Sequence, residues 1–123
     1  MANTLLIATH NAHKTGEMRA ILGSHFEEIT DLTSLPGMTP PEENGSTFAE
    51  NSAIKALAAS RAMPEAFILA DDSGLAVDAL GGAPGIFSSR FSGDNATDAT
   101  NREKLLVELA KADHSDSPRT ARF

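Results

Sequence analysis

Three short apolar runs stand out along the first seventy residues of the chain. They are residues 4–9, 26–32 and 67–70, and runs of this length that are rich in aliphatic or aromatic side chains predict strands. Helical patterns occupy much of the chain between them. The alternation predicts an α/β fold.

Two helices are predicted in this part of the chain. The first covers residues 14–22, where apolar side chains recur at helical spacing, and Gly23 is a suitable C-terminal stop. The second begins at a capping box, in which Thr47 and Glu50 would satisfy the exposed amides of the first turn, and runs to about Met63.

The second half of the chain holds one further helix and a loop. Residues 81–85 contain three glycines and a proline, which predicts an irregular loop. A helix is predicted from residue 97 or 98 to the polar stretch at residues 113–118. Residues 121–123 suggest another strand. The apolar stripe of the helix is predicted to consist of Leu105, Leu106 and Leu109.

Composition narrows the class of protein. A length of 123 residues with 41% hydrophobic residues predicts one domain. The formal net charge of −7 would repel polyanions, so nucleic acid is not an expected partner. The chain has no cysteine, and its apolar runs are too short to cross a bilayer, which predicts a cytoplasmic protein with no membrane partner.

Two adjacent acids follow the third apolar run. Asp71 and Asp72 come directly after the predicted strand, and Ser73 follows them. Carboxylates at a strand end are hard oxygen ligands, which predicts a Mg²⁺ site that would also meet a phosphorylated substrate. Successive side chains of a strand point to opposite faces, so both acids serve one site only if the chain is already turning. Termination of the strand is the alternative explanation.

The turn between the first strand and the first helix is a second candidate. Backbone amides of residues 9–14 and the positive end of the helix dipole could hold phosphate, while Lys14 adds a charge. The turn lacks the glycines of known phosphate-binding loops, so an ordinary polar turn explains it as well. His10 and His13 resemble a metal pair, but no further spaced ligand lies nearby to support zinc.

Other polar side chains have equally open interpretations. Glu42 and Glu43 lie in a loop rich in proline, where a carboxylate could reach a metal or simply be solvated. Asn51 and Lys55 share a helix face, which a functional site or an exposed polar face would explain. Three residues after the second loop could also bind an anion, namely Ser88, Ser89 and Arg90.

Four motifs taken together resemble the inosine triphosphate pyrophosphatase family, whose members are also called non-canonical purine nucleoside triphosphate pyrophosphatases. The resemblance extends over essentially the whole chain and includes Arg119-x-Ala121-x-Phe123. The four motifs are Thr9-x-Asn11-x-x-Lys14, Thr47-Phe48-x-Glu50-Asn51-x-x-x-Lys55-Ala56, Ala70-Asp71-Asp72-Ser73-Gly74-Leu75 and Gly82-Ala83-Pro84-Gly85-Ile86-x-Ser88-x-Arg90.

The resemblance implies Mg²⁺-dependent hydrolysis of inosine, deoxyinosine and xanthosine triphosphates to the monophosphate and pyrophosphate, which removes them from the nucleotide pool. Asp72 would be the general base and a metal ligand, and Glu42 the second ligand, although Glu43 could align there instead. The residues implied in substrate binding are Thr9, His10, Asn11, Ala12, His13, Lys14 and Ser73. Asp71, Glu50 and Lys55 are second choices.

The resemblance also implies an α/β fold with a mixed central sheet flanked by helices, and a longer, homodimeric parent protein. Family members continue beyond the position of Phe123 with a Gly-Phe-Gly-Tyr-Asp-like stretch, a lysine and a Ser-His-Arg motif that help to recognise the base. The chain is therefore expected to be the N-terminal part of one incomplete domain, truncated at its C-terminus. A noncatalytic nucleotide-binding or dimerising remnant is the alternative. His10 stands where many members have glycine.

Overall fold

A computed structural model of the protein describes residues 3–112 and 119–123. The chain forms two compact units, Met1–Asp71 and Asp72–Phe123. We call them the N-terminal unit and the C-terminal unit. The expectation of a single domain stays a prediction.

The N-terminal unit is built on a parallel three-stranded sheet. Its strands are β1 (Thr4–Ile7), β2 (Glu28–Asp31) and β3 (Phe67–Leu69), in the order β2-β1-β3. All four residues of β1 are buried, and a strand pairs with it on each side. Since the strands are parallel, their carboxyl ends meet at one edge, where ligand sites of open α/β sheets form.

Helix α1 (Ala12–Leu22) connects β1 to β2. It begins two residues earlier than predicted because the side chain of Asn11 accepts a hydrogen bond from the amide of His13 and caps the helix. Gly23 follows its last residue, as predicted. Ile21, one of the apolar residues at helical spacing in this segment, is 69% exposed.

Helix α2 (Phe48–Ala62) leads to β3. Thr47 caps it by accepting a hydrogen bond from the Glu50 amide at 3.1 Å, which confirms one half of the predicted capping box. The Glu50 carboxylate instead accepts hydrogen bonds from the amide and hydroxyl of Ser46. Ala59 is fully buried and lies in a core cluster with Leu6, Ala8 and Leu32.

The C-terminal unit contains helix α3 (Asp98–Lys111) and a short antiparallel pair, β4 (Ala76–Val77) with β5 (Ala121–Arg122). The predicted third helix and last strand are therefore present. Two 3₁₀ helices, Asp78–Leu80 and Gly85–Arg90, and strand β4 are absent from the sequence predictions.

The apolar stripe of α3 is narrower than predicted. Leu105 and Leu109 are half-buried, whereas Leu106 is 67% exposed, so its inclusion in the stripe was wrong. Leu105 and Leu109 are four residues apart and share a helix face. Residue 106 comes one position after Leu105 and therefore lies on a different face. Residues 113–118, the predicted end of this helix, lie outside the described residues.

No helix in the described part of the chain is both long enough and apolar enough to cross a membrane.

Candidate functional site

The turn from β1 to α1 is organised by its own side chains. The Thr9 hydroxyl accepts a hydrogen bond from the Asn11 amide at 3.1 Å, and the Asn11 side chain accepts one from the His13 amide at 2.9 Å. Leu32, which directly follows β2, fixes the turn by donating its amide to the Thr9 carbonyl. Thr9 and Asn11 therefore shape the backbone that was predicted to bind phosphate, with His10, Ala12 and His13 exposed along it.

Lys14 forms an ion pair with Asp71 within the N-terminal unit. Its ammonium lies 3.0 and 3.2 Å from the two carboxylate oxygens, and the side chains are 30% and 37% exposed. Asp71 follows β3, which pairs with β1, so the pair lies at the carboxyl edge of the sheet. The carboxylate of Asp71 is thus committed to holding a cationic side chain at the predicted phosphate-binding turn.

Asp31, at the end of β2, helps to hold the same turn in place through Thr15. It is buried, and it accepts hydrogen bonds from the Thr15 hydroxyl and from the amide and hydroxyl of Thr33. The Thr15 amide donates to the Asn11 carbonyl at 3.2 Å, which links the buried acid to the turn. Sequence reasoning missed this residue, although an acid at a strand end before Thr33 is a local capping signal.

These contacts set the ionisation of Asp31. Burial raises the pKa of its carboxyl, but the hydrogen bonds from Thr15 and Thr33 and the charge of Arg19 outweigh burial and hold the pKa below its ordinary value. The ionised form is therefore the one that the fold favours.

The loop of residues 40–45, which we call the acidic loop, carries Glu42 and Glu43. Glu42 is exposed and Glu43 is half-buried, and the choice between them as a metal ligand stays a prediction. The loop ends at Gly45, whose amide donates to the side-chain oxygen of Asn51 at 2.8 Å. Asn51 is fully buried, so the interpretation of its surroundings as an exposed polar face was wrong.

Glu50, next to Asn51, is held by Ser46. Hydrogen bonds from the amide and the hydroxyl of Ser46 lower the pKa of the Glu50 carboxyl. Both bonds end on the same carboxylate oxygen, so this acid serves the junction between the acidic loop and α2. Lys55, one turn further along the helix, is half-buried.

Asp72 and Ser73 open the C-terminal unit. Asp72 is half-buried, with one carboxylate oxygen shielded from solvent, whereas Ser73 is exposed. Gly74 is buried, and a Cβ added there would lie 2.3 Å from the Gly85 carbonyl oxygen and 2.5 Å from the Ser88 hydroxyl. The close approach explains why the acidic motif continues with glycine.

Ser88 has a structural role that uses the single donor proton of its hydroxyl. Its hydroxyl accepts from the Leu75 amide at 2.9 Å and donates to the Gly85 carbonyl at 2.6 Å. Asn101 donates to the carbonyls of Ser88 and Ser89 and fastens this segment to α3. The guanidinium of Arg90 lies 5.2 Å from the ring centre of Phe87. These contacts favour a structural role for Ser88 over the anion-binding alternative.

The donor set suits Mg²⁺ better than zinc. Within residues 3–112 and 119–123, no group of three or more histidine, cysteine or acidic side chains is placed to hold a metal ion, so His10 and His13 gain no further ligand. Mg²⁺ is commonly bound by one or two carboxylates together with water and substrate phosphates. The carboxylates of Glu42 and Glu43 in the N-terminal unit, and of Asp72 in the C-terminal unit, are each oxygen donors of that kind.

Comparison with known proteins identifies relatives over nearly the whole chain. A dITP/XTP pyrophosphatase of Streptococcus agalactiae serotype V is 49% identical over 108 residues, which are 88% of this chain and 33% of that protein. A dITP/XTP pyrophosphatase of Streptococcus pyogenes serotype M18 is 46% identical over 121 residues, which are 98% and 36% of the two chains. The chain thus spans about a third of the length of these relatives.

Solved structures share the fold. A HAM1 protein from Coxiella burnetii superimposes with a TM-score of 0.79 at 43% identity, covering 97% of this chain and 58% of that one. The Ham1 protein of Staphylococcus aureus gives a TM-score of 0.71 at 39% identity, covering 87% and 54%. These matches confirm the predicted α/β fold and the family resemblance drawn from the four motifs. Since the model of the Ham1 family matches residues 5–123, the chain belongs to the Ham1 family.

Proposed function

We propose that this chain carries the phosphate- and metal-binding part of an enzyme that hydrolyses non-canonical purine nucleoside triphosphates, namely those of inosine, deoxyinosine and xanthosine, with Mg²⁺. The products would be the monophosphate and pyrophosphate. The observation that carries the proposal is the Lys14–Asp71 pair, because it places an ammonium group beside a helix-start turn at the carboxyl edge of the sheet. The names of the relatives support the substrate class.

Phosphate binding would rest on backbone amides and one charge. The side chains of Thr9 and Asn11 already accept hydrogen bonds within the turn, so their role is to shape it and to contact phosphate where capacity remains. The backbone of His10, Ala12 and His13 follows the same turn to the start of α1. Lys14 would stabilise the negative charge of the phosphate oxygens, in exchange for part of its pairing with Asp71.

Asp72 would act as the general base. It would take a proton from a water molecule whose oxygen forms a bond to the α-phosphorus, while the bond from that phosphorus to the bridging oxygen breaks and pyrophosphate leaves. The Ser73 hydroxyl would contact a phosphate oxygen. The family resemblance implies Glu42, or Glu43 in its place, and Asp72 as ligands of Mg²⁺, which when bound would neutralise phosphate charge.

The biological role that follows is removal of these nucleotides from the precursor pool. Small anionic substrates suit a protein of net charge −7 only if their charge is neutralised, which is consistent with a divalent cation. We include in the proposal a homodimeric whole protein acting in the cytoplasm, on the strength of the family resemblance.

A chimeric enzyme tests the proposal. Residues 1–123 would replace the aligned part of the Coxiella burnetii HAM1 protein, which covers 97% of this chain at 43% identity. We expect pyrophosphate release from dITP with Mg²⁺. Asp72→Asn should reduce turnover by about 10²- to 10⁴-fold, the usual contribution of a positioned base. The matched control is Asp94→Asn, which changes an exposed acid of the same unit.

The outcomes separate the alternatives. Turnover within a factor of three of the parent chimera, about 0.6 kcal/mol of activation free energy, would overturn the role of Asp72. Binding of dITP without pyrophosphate release, by the chimera and by the isolated chain, would favour a noncatalytic nucleotide-binding protein.

A further inference from the structure

Asn51 is an unusual buried residue because its side chain is polar and fully shielded from solvent. Its carboxamide oxygen accepts the Gly45 amide at 2.8 Å. Its carboxamide nitrogen makes no hydrogen bond to any residue that the structure describes. Burying a polar group carries a desolvation cost. A buried carboxamide with only its oxygen hydrogen-bonded therefore calls for an explanation, which we seek in the group that the oxygen binds.

The group that Asn51 holds is the end of the acidic loop. A Cβ added at Gly45 would lie 2.7 Å from the Asn51 oxygen and 2.7 Å from the Glu50 Cβ. Real Cβ contacts do not occur at such distances, so the backbone at residue 45 fits against α2 only because it is glycine. The fit places the hydrogen-bond donor two residues after Glu43.

Two neighbouring contacts continue this attachment. The Ser46 amide and hydroxyl donate to Glu50, and the Thr47 hydroxyl accepts from the amide of Glu50. Three consecutive residues, 45–47, are therefore hydrogen-bonded to the first turn of α2. Of these three attachments, the hydrogen bond between Gly45 and Asn51 is the nearest in sequence to Glu42 and Glu43. Within the described chain it is also the only one of the three that involves a fully buried side chain.

We propose that Asn51 is a positioning residue for the metal ligand of the acidic loop. By holding Gly45 against the rigid start of α2, it sets where the carboxylates of Glu42 and Glu43 lie, and it acts through the loop rather than on the substrate. The inference rests on the proposed function, since it assumes that one of these two acids binds Mg²⁺. Residues that orient metal ligands commonly change metal affinity by 10- to 100-fold when removed.

Two variants perturb the contact from opposite sides. Asn51→Ala removes the acceptor, whereas Gly45→Ala leaves Asn51 intact and forces the loop away from it. Gly37→Ala is the matched control, because a Cβ at Gly37 has no atom within 4 Å. Asn51→Asp is the conservative variant, since it keeps an oxygen that can accept the Gly45 amide. Circular dichroism of each variant checks that the helices are retained.

The first readout is hydrogen exchange of the Gly45 amide in metal-free protein. We expect slow exchange in the parent chain and in Gly37→Ala, exchange at least tenfold faster in Asn51→Ala and Gly45→Ala, and recovery in Asn51→Asp. Equal exchange in the parent and in Asn51→Ala would overturn the inference, whatever the chain does to nucleotides. If Asn51→Ala does not fold, Gly45→Ala gives the same decision.

The second readout is the Mg²⁺ affinity of the chain, followed by the carboxylate carbon resonances of Glu42 and Glu43. We expect a Kd raised by about 10-fold or more in Asn51→Ala and Gly45→Ala, and a Kd unchanged in Gly37→Ala. Unchanged affinity in the first two variants would overturn the role of Asn51 alone. Absence of a Mg²⁺ response in the parent chain would overturn the proposed metal site and, with it, this role.

Discussion

The two units of this protein bury their side chains in different ways. The N-terminal unit contains a central strand with every residue buried, and all the buried polar side chains of the described chain lie in it, namely Thr4, Thr15, Asp31 and Asn51. In the described part of the C-terminal unit, Val77 and Pro84 are the only buried non-polar side chains.

The difference shows two ways of fixing a site. The N-terminal unit places Lys14 and Asp71 on a packed sheet, with Asp31 buried below the turn. The C-terminal unit fixes the chain after Asp72 mainly by close backbone contact and by the hydrogen bonds of Ser88. Regions with few buried apolar contacts open at lower free energy, so we expect the C-terminal unit to be the less stable one.

The largest contrast should come from two leucines. Leu6 is fully buried, and Leu6→Ala should lower the free energy of unfolding by about 2–5 kcal/mol through lost transfer energy and a cavity. Leu106 is 67% exposed, and Leu106→Ala should change it by no more than about 0.5 kcal/mol. Urea titrations of both variants measure the free energy of unfolding. A similar decrease in both would contradict the difference in burial between the two units.

Gly74→Ala tests how the C-terminal unit is held. The added Cβ meets the Gly85 carbonyl and the Ser88 hydroxyl, so we expect destabilisation of about 1–3 kcal/mol. Amide exchange should accelerate in the C-terminal unit and stay slow in β1. Ser73→Ala, at the exposed neighbouring position, is the control and should leave both patterns unchanged. Acceleration confined to β1 would contradict the assignment.

Asp31 should make the N-terminal unit sensitive to acid. Its pKa in the folded chain lies below the unfolded value of about 3.9, so its stabilisation is present above pH 4 and is lost as the pH falls through the folded pKa. At pH 6, Asp31→Asn should cost about 1–2 kcal/mol, because hydrogen bonds to an ionised acceptor are lost. Urea titrations at pH 6 and pH 3 should show that the free energy of unfolding falls less on acidification in the variant than in the parent chain. An equal fall in both would argue against this role.

The smallest predicted effect is a gain. Gly16 lies inside α1, and a Cβ there has no atom within 4 Å. Gly16→Ala should therefore raise the free energy of unfolding by about 0.5–1 kcal/mol, because glycine loses more backbone entropy in a helix. A thermal melt measures the change, and a lower Tm would show that α1 is constrained in some other way.

Much of the fold could be predicted from the sequence where the signal is local. The strands and helices of the N-terminal unit and α3 each carry a run, a periodicity or a cap, and Thr47 shows this at a single residue. Strand β4 has two residues, too few to show a period, and it exists because it pairs with residues over forty positions later. Leu106 was misplaced because three nearby leucines do not by themselves say which two face inward.

The candidate site divides in the same way. The placement of Lys14 and the acids after β3 follows from their positions at strand ends, which the sequence marks. Asp31 and Asn51 gain their roles from partners that only the folded chain supplies, Thr15 for the first and Gly45 for the second. A polar residue on a helix gives no local sign that it will be buried.

The order of the strands also affects how the protein is made. Strand β1 can pair with β2 once about thirty residues have left the ribosome, but its other edge waits for β3, some sixty residues after it in the chain. Until then β1, whose four residues are all buried in the finished fold, presents open backbone groups to any other nascent strand. The segment from β3 to Asp71 therefore brings in the partner of Lys14 and, in the same step, closes the edge at which the growing chain is most prone to aggregate.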